Sequence, residues 1–510
     1  MSLYFILLQP VSSAVVYSAI DDGMYYPKIA LNFVSTGTFT YDGVTLTNGF
    51  HPLWQILLIP VFYLFSEPIS GLKASFTIIF ITLLISLFFF FKISKRLSLS
   101  VPAVILSFYI VYANLRSFTL LYSMLESHLL LLVYMIYIYA ALKYGDARFT
   151  APGSAFLFGL LLSVAFITRI DSFLLILTYF LFQLIIIYKT KNYKPLLWSS
   201  AGTAVFIIPY LIINLKYFGH LSTVSSWTKF TLPSFQSLQT PLNSLTGLLL
   251  PRISYVLGVS DKILIITIVF IFLISLILFY IRHKKNKQGK TVLRNYTLKK
   301  LVGTCPEFFL FTIIHFTFVW LFVPYEAMFS VWYYVSLIIA LGLFAGFFFS
   351  RVQNKLIIYP VIIIIGFLVT LQFADRDSFL QKKRMSLAKI EMADYIRENI
   401  SKEARIGMTD SGITAFFADH NFTALNGLIG DFEMAALVKE GKLNQLTEKY
   451  SVNYFVWDMR NEDLTNSHIE IIYKTRTVTP FNNFSEGEKP MVLFRLKDIG
   501  LESWIKNRYK

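Results

Sequence analysis

From Ala74 to Phe91 the chain runs eighteen residues without a charged side chain, and comparable runs recur along its length. A helix of about 20 apolar residues crosses about 30 Å of hydrocarbon. Such a pattern constrains the fold more than anything else in the sequence. By that rule helices are expected near 2–20, 72–91, 99–116, 126–143, 153–169, 172–188, 196–215, 262–281, 306–324, 329–349 and 356–373. The segment 52–66 is shorter, holds Pro60 and runs into Glu67-Pro68. It reads as interfacial or re-entrant rather than as a span.

Composition excludes the alternatives. The chain is 55% hydrophobic and 15% charged, against roughly 25% charged in soluble domains. It has too much to bury for a disordered chain. A single cysteine, Cys305, leaves no disulfide framework and no cysteine metal cluster within one chain. The net charge of +16 is gathered in short loops: Lys92, Lys95 and Arg96, then Lys189, Lys191 and Lys194, then the stretch from Arg282 to Lys300. This is the positive-inside pattern. It points to a lipid bilayer as partner and away from nucleic acid.

Placing 92–98, 143–149, 189–195, 282–303 and 351–355 in the cytoplasm puts 21–71, 117–125, the Arg169/Asp171 turn, 216–261 and everything after 374 outside. The expected class is a polytopic α-helical membrane protein of about 11 spans with interfacial helices, its N-terminus cytoplasmic. The first helix is preceded by no Lys or Arg and is interrupted at Gln9-Pro10. No convincing cleavage site follows it, so it is read as retained. Residues 375–510 are polar and mixed in charge, and read as an extracytoplasmic α/β domain. Ala404–Thr409, Val452–Asp458, His468–Tyr473 and Met491–Leu496 have strand patterning, and Ser386–Ile400, Met434–Val438 and Leu443–Tyr450 have helical patterning.

The polar residues that break the apolar pattern fall on one side of this topology. Asp21 and Asp22 stand where the first helix leaves the membrane, and Glu126 opens a span. Arg169 and Asp171 share a turn between two spans, Asn48, His51 and Trp54 flank the interfacial segment, and Lys229 lies in the loop 216–261. Charge at a membrane edge is costly without a partner or a task. A carboxylate in such half-dry surroundings gains proton affinity, which suits a general base. Each also has a structural reading: a helix-end pair for Asp21 and Asp22, a turn brace for Arg169 and Asp171, a hydrogen-bonded histidine for His51. Outer-face acids, cations and an aromatic segment around one embedded cavity suit a substrate with a lipid tail and a phosphate head. Arg169 and Lys229 would stabilise the phosphate, and an aspartate would take a proton from an acceptor hydroxyl.

The motifs resemble those of membrane-embedded C-superfamily glycosyltransferases, among them protein O-mannosyltransferases and lipid A aminoarabinose transferases. Asp21-Asp22-x-x-Tyr25, Asn32, Gly37, Phe39, Asp42-Gly43 and Thr47-Asn48-Gly49-Phe50-His51-Pro52-Leu53-Trp54 resemble the first external loop of that family. Met124-Leu125-Glu126-Ser127 is similar to Gly-Met-Glu-Ser/Thr, with Met124 for glycine, and Thr168-Arg169-Ile170-Asp171 to Thr-Arg-Pro-Asp, with Ile170 for proline. Asn214, Phe218-Gly219 and Lys229 follow a later family stretch, with Thr223-Val224-Ser225 for Pro-x-Ser. Ala424 to Leu428 resembles Asn-Leu-Asp-Gly-Leu, with Asn426 for aspartate.

The resemblance implies an inverting transfer of a monosaccharide from a polyprenyl or dolichyl phosphate carrier at the outer face of the cell membrane, to an acceptor the sequence does not name. Asp21 and Asp22 are then the catalytic pair, with the first aspartate matching the family's base. Tyr25, Asn48, His51, Glu126, Arg169, Asp171 and Lys229 are the substrate-binding candidates. Residues 1–374 would be the transmembrane catalytic domain, with 21–71 and 216–261 as its external loops, and 375–510 the external domain. A divalent metal is left open, since Asp21, Asp22 and Glu126 offer hard oxygen ligands. Gly289-Lys290-Thr291 lacks the glycine spacing of a nucleotide-binding loop. Asp410-Ser411-Gly412 reads as a helix-capping connection or a binding loop. The rival reading is a transporter or lipid flippase, which would place charges in mid-span.

Overall fold

The structure is a computed structural model. It describes residues 15–16, 19–113, 117, 120–229, 305–322, 331–350, 376–459, 464, 466–480, 488–497 and 499–508. The expected helices 262–281 and 356–373, and most of 2–20, lie outside the described residues. The other eight are helical where described. They include α1 (Pro68–Arg96), α2 (Ser127–Tyr144), α3 (Pro152–Thr168), α4 (Phe173–Thr190), α5 (Lys194–Phe218), α6 (Pro306–Phe322) and α7 (Val335–Phe349). The segment Val101–Phe108 continues into a π turn at Tyr109–Ala113. Four helices among the described residues, including α1, α2 and α5, are long and apolar enough to cross a membrane.

These helices keep large apolar side chains on the outside. Ile81, Leu84, Ile85 and Phe88 of α1, Leu177, Leu181 and Leu184 of α4, and Ile208, Ile212 and Ile213 of α5 are all exposed. A contiguous apolar exterior is stable only against lipid or another protein. Inside, aromatic and aliphatic side chains such as Tyr134, Tyr137, Phe158, Phe308 and Phe311 form the core.

The next long helix, α8 (Arg376–Asn399), packs on a five-stranded sheet. Its strands are β1 (Arg405–Met408), β2 (Asn421–Ala424), β3 (Tyr454–Asp458), β4 (Ile469–Pro480) and β5 (Glu488–Leu496), in the order β2-β1-β3-β5-β4. β1 runs parallel to β2 and β3, and β5 pairs antiparallel with β3 and β4. Four strands lie where the period-2 pattern puts them. β2 has no counterpart among the expected strands.

The sheet is not free-standing. Its loop at Leu428–Ile429 meets Gly49, His220 stacks on Phe432 with ring centroids 3.8 Å apart, and Thr228 Oγ1 donates to the Gly427 carbonyl at 3.1 Å. The apolar bundle and the sheet therefore share one face, where the polar helix ends gather.

Candidate active site

Five segments from the helical part and one from the sheet part converge there. They are the 3-10 turn Asp21–Met24, the irregular stretch before Pro52, the bend 123–126 before α2, the turn at 169–172 between α3 and α4, the short helix Val224–Lys229, and the loop at Leu428–Ile429. Between them is a cavity of about 220 Å³. Asp22, Tyr25, His51, Glu126, Arg169, Asp171 and Lys229 all line it, as do Phe318, Trp332 and Tyr333.

One wall is a buried charge network. Arg169 Nη1 donates to Glu126 Oε1 at 2.7 Å, and its Nε donates to Asp171 Oδ2 at 2.9 Å. Tyr26 donates its hydroxyl proton to Glu126 Oε2 at 2.8 Å, and His51 Nε2 lies 3.6 Å from Glu126 Oε1. Glu126 and Arg169 are both buried. Burial alone would raise the Glu126 carboxyl, but His51 and Arg169 outweigh it and hold the group below its ordinary range. Burial lowers His51, against the pull of Glu126, so the ring is neutral at pH 7. The guanidinium of Arg169 sits 4.9 Å from the centre of the Tyr333 ring, a cation–π geometry.

The lining also includes Lys229, whose Nζ is 3.5 Å from Asp22 Oδ2 and 5.8 Å from the Trp332 ring centre. Burial alone would lower this ammonium. Tyr333 and Asp22 outweigh it and raise it, so Lys229 is a cation at neutral pH.

Two of the candidates stand outside the cavity lining. Asp21 does not line the cavity. Its Oδ1 accepts from Lys389 Nζ at 2.7 Å and from the Ile413 amide at 3.2 Å, and its Oδ2 accepts from the Gly412 amide at 2.8 Å. An ammonium and two amides occupy its oxygens, and of the adjacent pair it is Asp22 that lines the hollow. Asn48 is also turned away. Its Nδ2 donates to the Ser222 carbonyl at 3.1 Å, and its Oδ1 accepts from the Val224 amide at 2.9 Å. It braces the helix that carries Lys229. The three carboxylates offered for a metal do not converge: Asp21 faces Lys389, Asp22 faces Lys229 and Glu126 faces Arg169. No group of three metal-ligating side chains occurs among the described residues.

The departures from the family motifs have local explanations. Met124 adopts φ +66°, a left-handed conformation that glycine takes freely and other residues take at a cost. Its carbonyl is held by Trp54 Nε1 at 2.8 Å. Ile170, unlike proline, has an amide, and this points at His51 Nδ1 from 3.5 Å. Asn426 Oδ1 accepts from the Leu428 amide at 3.2 Å, a turn that aspartate would make as well.

Several site residues were not visible in the sequence. His315, within the apolar α6, places Nε2 3.2 Å from Asp171 Oδ2 and stacks on Phe311. Its sequence signal is a lone imidazole in an apolar run. Trp332 and Tyr333 carry no signal that separates them from the other aromatics.

With this geometry in place, three comparisons bear on identity. A family model described as "Domain of unknown function (DUF8728)" matches residues 378–494, the sheet part. No protein of curated function matches the sequence. Among solved structures, ArnT from Cupriavidus metallidurans bound to undecaprenyl phosphate superimposes with a TM-score of 0.57 at 12% identity, over 96% of this chain and 96% of that one. The chain shares that fold. The apo oligosaccharyltransferase of Archaeoglobus fulgidus gives a TM-score of 0.44 at 12% identity, over 90% of this chain and 68% of that one. The resemblance to membrane-embedded C-superfamily glycosyltransferases, read from the motifs, is thus matched by a likeness of fold to ArnT.

Proposed function

We propose that this chain is an inverting glycosyltransferase that moves a monosaccharide from a polyprenyl or dolichyl phosphate carrier to an acceptor hydroxyl at the outer face of the membrane. The observation that carries the reading is the single cavity that Asp22 and Lys229 line together with the Glu126–Arg169–Asp171 network. Arg169 with its two carboxylates sums to one negative charge, and Lys229 with Asp22 sums to zero. A donor phosphate therefore finds in Lys229 the cation that it can win by displacing a single carboxylate. That displacement frees Asp22 beside the reacting centre. The guanidinium of Arg169 adds its Nη2, which has no hydrogen-bond partner among the described residues.

The step then balances as follows. The acceptor oxygen attacks the anomeric carbon from the face opposite the phosphate, its proton passes to Asp22, and the carbon–oxygen bond to phosphate breaks with the electron pair leaving on the lipid phosphate. Lys229 and Arg169 stabilise that charge as it grows. A positioned base contributes about 10²–10⁴-fold. Phe318, Phe322, Trp332 and Leu428 give the cavity an apolar border suited to the first isoprene units. The ArnT structure that shares the fold holds undecaprenyl phosphate, which supports this class of carrier.

In this reading residues 1–374 form the catalytic membrane part, and 375–510 the external α/β domain that closes the cavity. The test incubates purified protein with a panel of radiolabelled polyprenyl-phosphate sugars. Consumption of one label by wild type and its loss in Asp22→Asn supports the assignment. Scrambling of lipid between leaflets without consumption of any label would replace it with a flippase. Cysteines placed at Lys191 and Ser401, in a Cys305→Ala background, are expected to label from opposite sides of the membrane. Labelling from one side would overturn the outward orientation.

A further inference from the structure

The loop from Thr409 to Ile413 follows β1 and carries the Asp410-Ser411-Gly412 sequence that reads as a capping or binding loop. Its amides are already occupied. Gly412 and Ile413 donate to Asp21, and Lys389 Nζ, from α8, bonds both Asp21 Oδ1 and the Asp410 carbonyl at 2.7 Å. The same loop is fastened at two further points. Tyr41 and Ser411 hydroxyls meet at 2.8 Å, and Tyr25 donates to the Thr409 carbonyl at 3.4 Å.

Contact between this loop and the turn that bears Asp22 leaves no slack. A Cβ on Gly412 would fall 2.0 Å from the Asp21 carbonyl oxygen, and a Cβ on Gly23 would fall 2.1 Å from the Ser123 carbonyl oxygen. The Asp21–Met24 turn is therefore pinched between the bend leading to Glu126 and a loop of the sheet part. Lys389 is only 3% exposed, on a helix whose Met392, Ala393 and Ile396 are fully buried against the sheet. Its ammonium cannot swing away without unpacking that helix. Burial alone would lower Lys389, but Asp21 and Asp410 outweigh it, so the clamp is charged at neutral pH.

We infer that Lys389 and the Asp410–Ile413 loop are positioning groups: through Asp21 they fix the direction in which Asp22 faces the cavity, so that the sheet part completes the active site from 368 residues away. The inference rests on the proposed role of Asp22 as proton acceptor. It differs from a simple docking contact in what it predicts. A docking contact would affect stability alone, whereas a positioning contact governs turnover while leaving donor binding to Lys229 and Arg169.

Two readouts on the full-length protein test it. In a Cys305→Ala, Asp22→Cys background, a charged methanethiosulfonate labels position 22 from the cavity without any need for turnover. Lys389→Met is expected to change that labelling rate severalfold, and Lys389→Arg to restore most of it. Equal rates in all three would overturn the inference. With native Asp22 and the label consumed by wild type, Lys389→Met should lower kcat by at least about tenfold, as small misplacements at a reacting centre do, with apparent donor KM nearly unchanged. Gly412→Ala presses on the same turn without removing charge and should give the same split. A rise in KM with kcat intact, in either variant, would overturn the positioning role. If wild type consumes no polyprenyl-phosphate sugar, the reading of function fails, while the labelling comparison still decides whether Lys389 sets the geometry of position 22.

Discussion

Lys229 Nζ lies 3.5 Å from Asp22 Oδ2, and of the two full cations lining the cavity it answers to one carboxylate where Arg169 answers to two. That difference makes Lys229 the exchangeable charge. Hydrogen bonds to charged groups contribute about 1.5–3 kcal/mol, so Lys229→Ala should weaken binding of undecaprenyl phosphate about 10–100-fold. Lys229→Arg should retain most of it. Titration of the purified protein in detergent measures both, and an unchanged affinity in the alanine variant would remove Lys229 as the phosphate anchor.

Met124 is held at φ +66° and fully buried. The strain of a left-handed residue is about 1–2 kcal/mol, and truncating a buried methionine costs about 2–5 kcal/mol. Burial outweighs strain, which explains how a methionine persists where the resemblance has glycine. Met124→Ala loses the packing and keeps the strain, whereas Met124→Gly loses the packing and relieves it. The glycine variant is therefore expected to unfold at the higher temperature of the two, the reverse of the usual order. The usual order, found in thermal melts, would mean that the backbone bears no strain there.

How far the sequence reaches can be read from these same residues. The helices were legible because apolar length is a local property, and β3 and β5 because alternation over several residues is local too. The loop residues Glu126, Arg169 and Lys229 stood out because a charge at a span end is conspicuous, and they do share one cavity. What failed was anything decided by a distant partner. Asp21 and Asp22 are neighbours of the same type, and only distant partners, Lys389, Gly412 and Ile413, tie Asp21 to the sheet part while Asp22 lines the cavity. Asn48 belongs to a motif-like stretch, yet its bonds to Ser222 and Val224 make it a brace. His315 was lost in an apolar helix because nothing local reveals that Asp171 lies opposite.

Glu126 and Arg169 are buried and bonded at 2.7 Å. Removing one member of such a pair costs about 3–5 kcal/mol, because the other charge is left buried without compensation. Arg169→Met should therefore destabilise the protein strongly, with Glu126 and Asp171 both losing their guanidinium partner. Adding Glu126→Gln should give back at least about 1 kcal/mol, as contacting pairs are non-additive. A double-variant cycle by denaturant unfolding in detergent measures the coupling. Strict additivity would show that the two side chains do not share their energy.

His51 supplies the pH test. Its pKa is lowered by burial, so the folded state favours the neutral ring more than the unfolded state does. The sign follows from linkage. The unfolded chain binds the proton more readily, so the stability this group contributes is complete above about pH 6.5, the unfolded value, and is lost as pH falls below it toward the folded value. Protonation would also place a cation between Arg169 and Ile170, whose amide points at Nδ1. Melting temperature should then fall between pH 6.5 and 5 in wild type and fall less in His51→Gln, which has no titrating ring. Parallel curves for the two proteins would show that His51 does not titrate in this window.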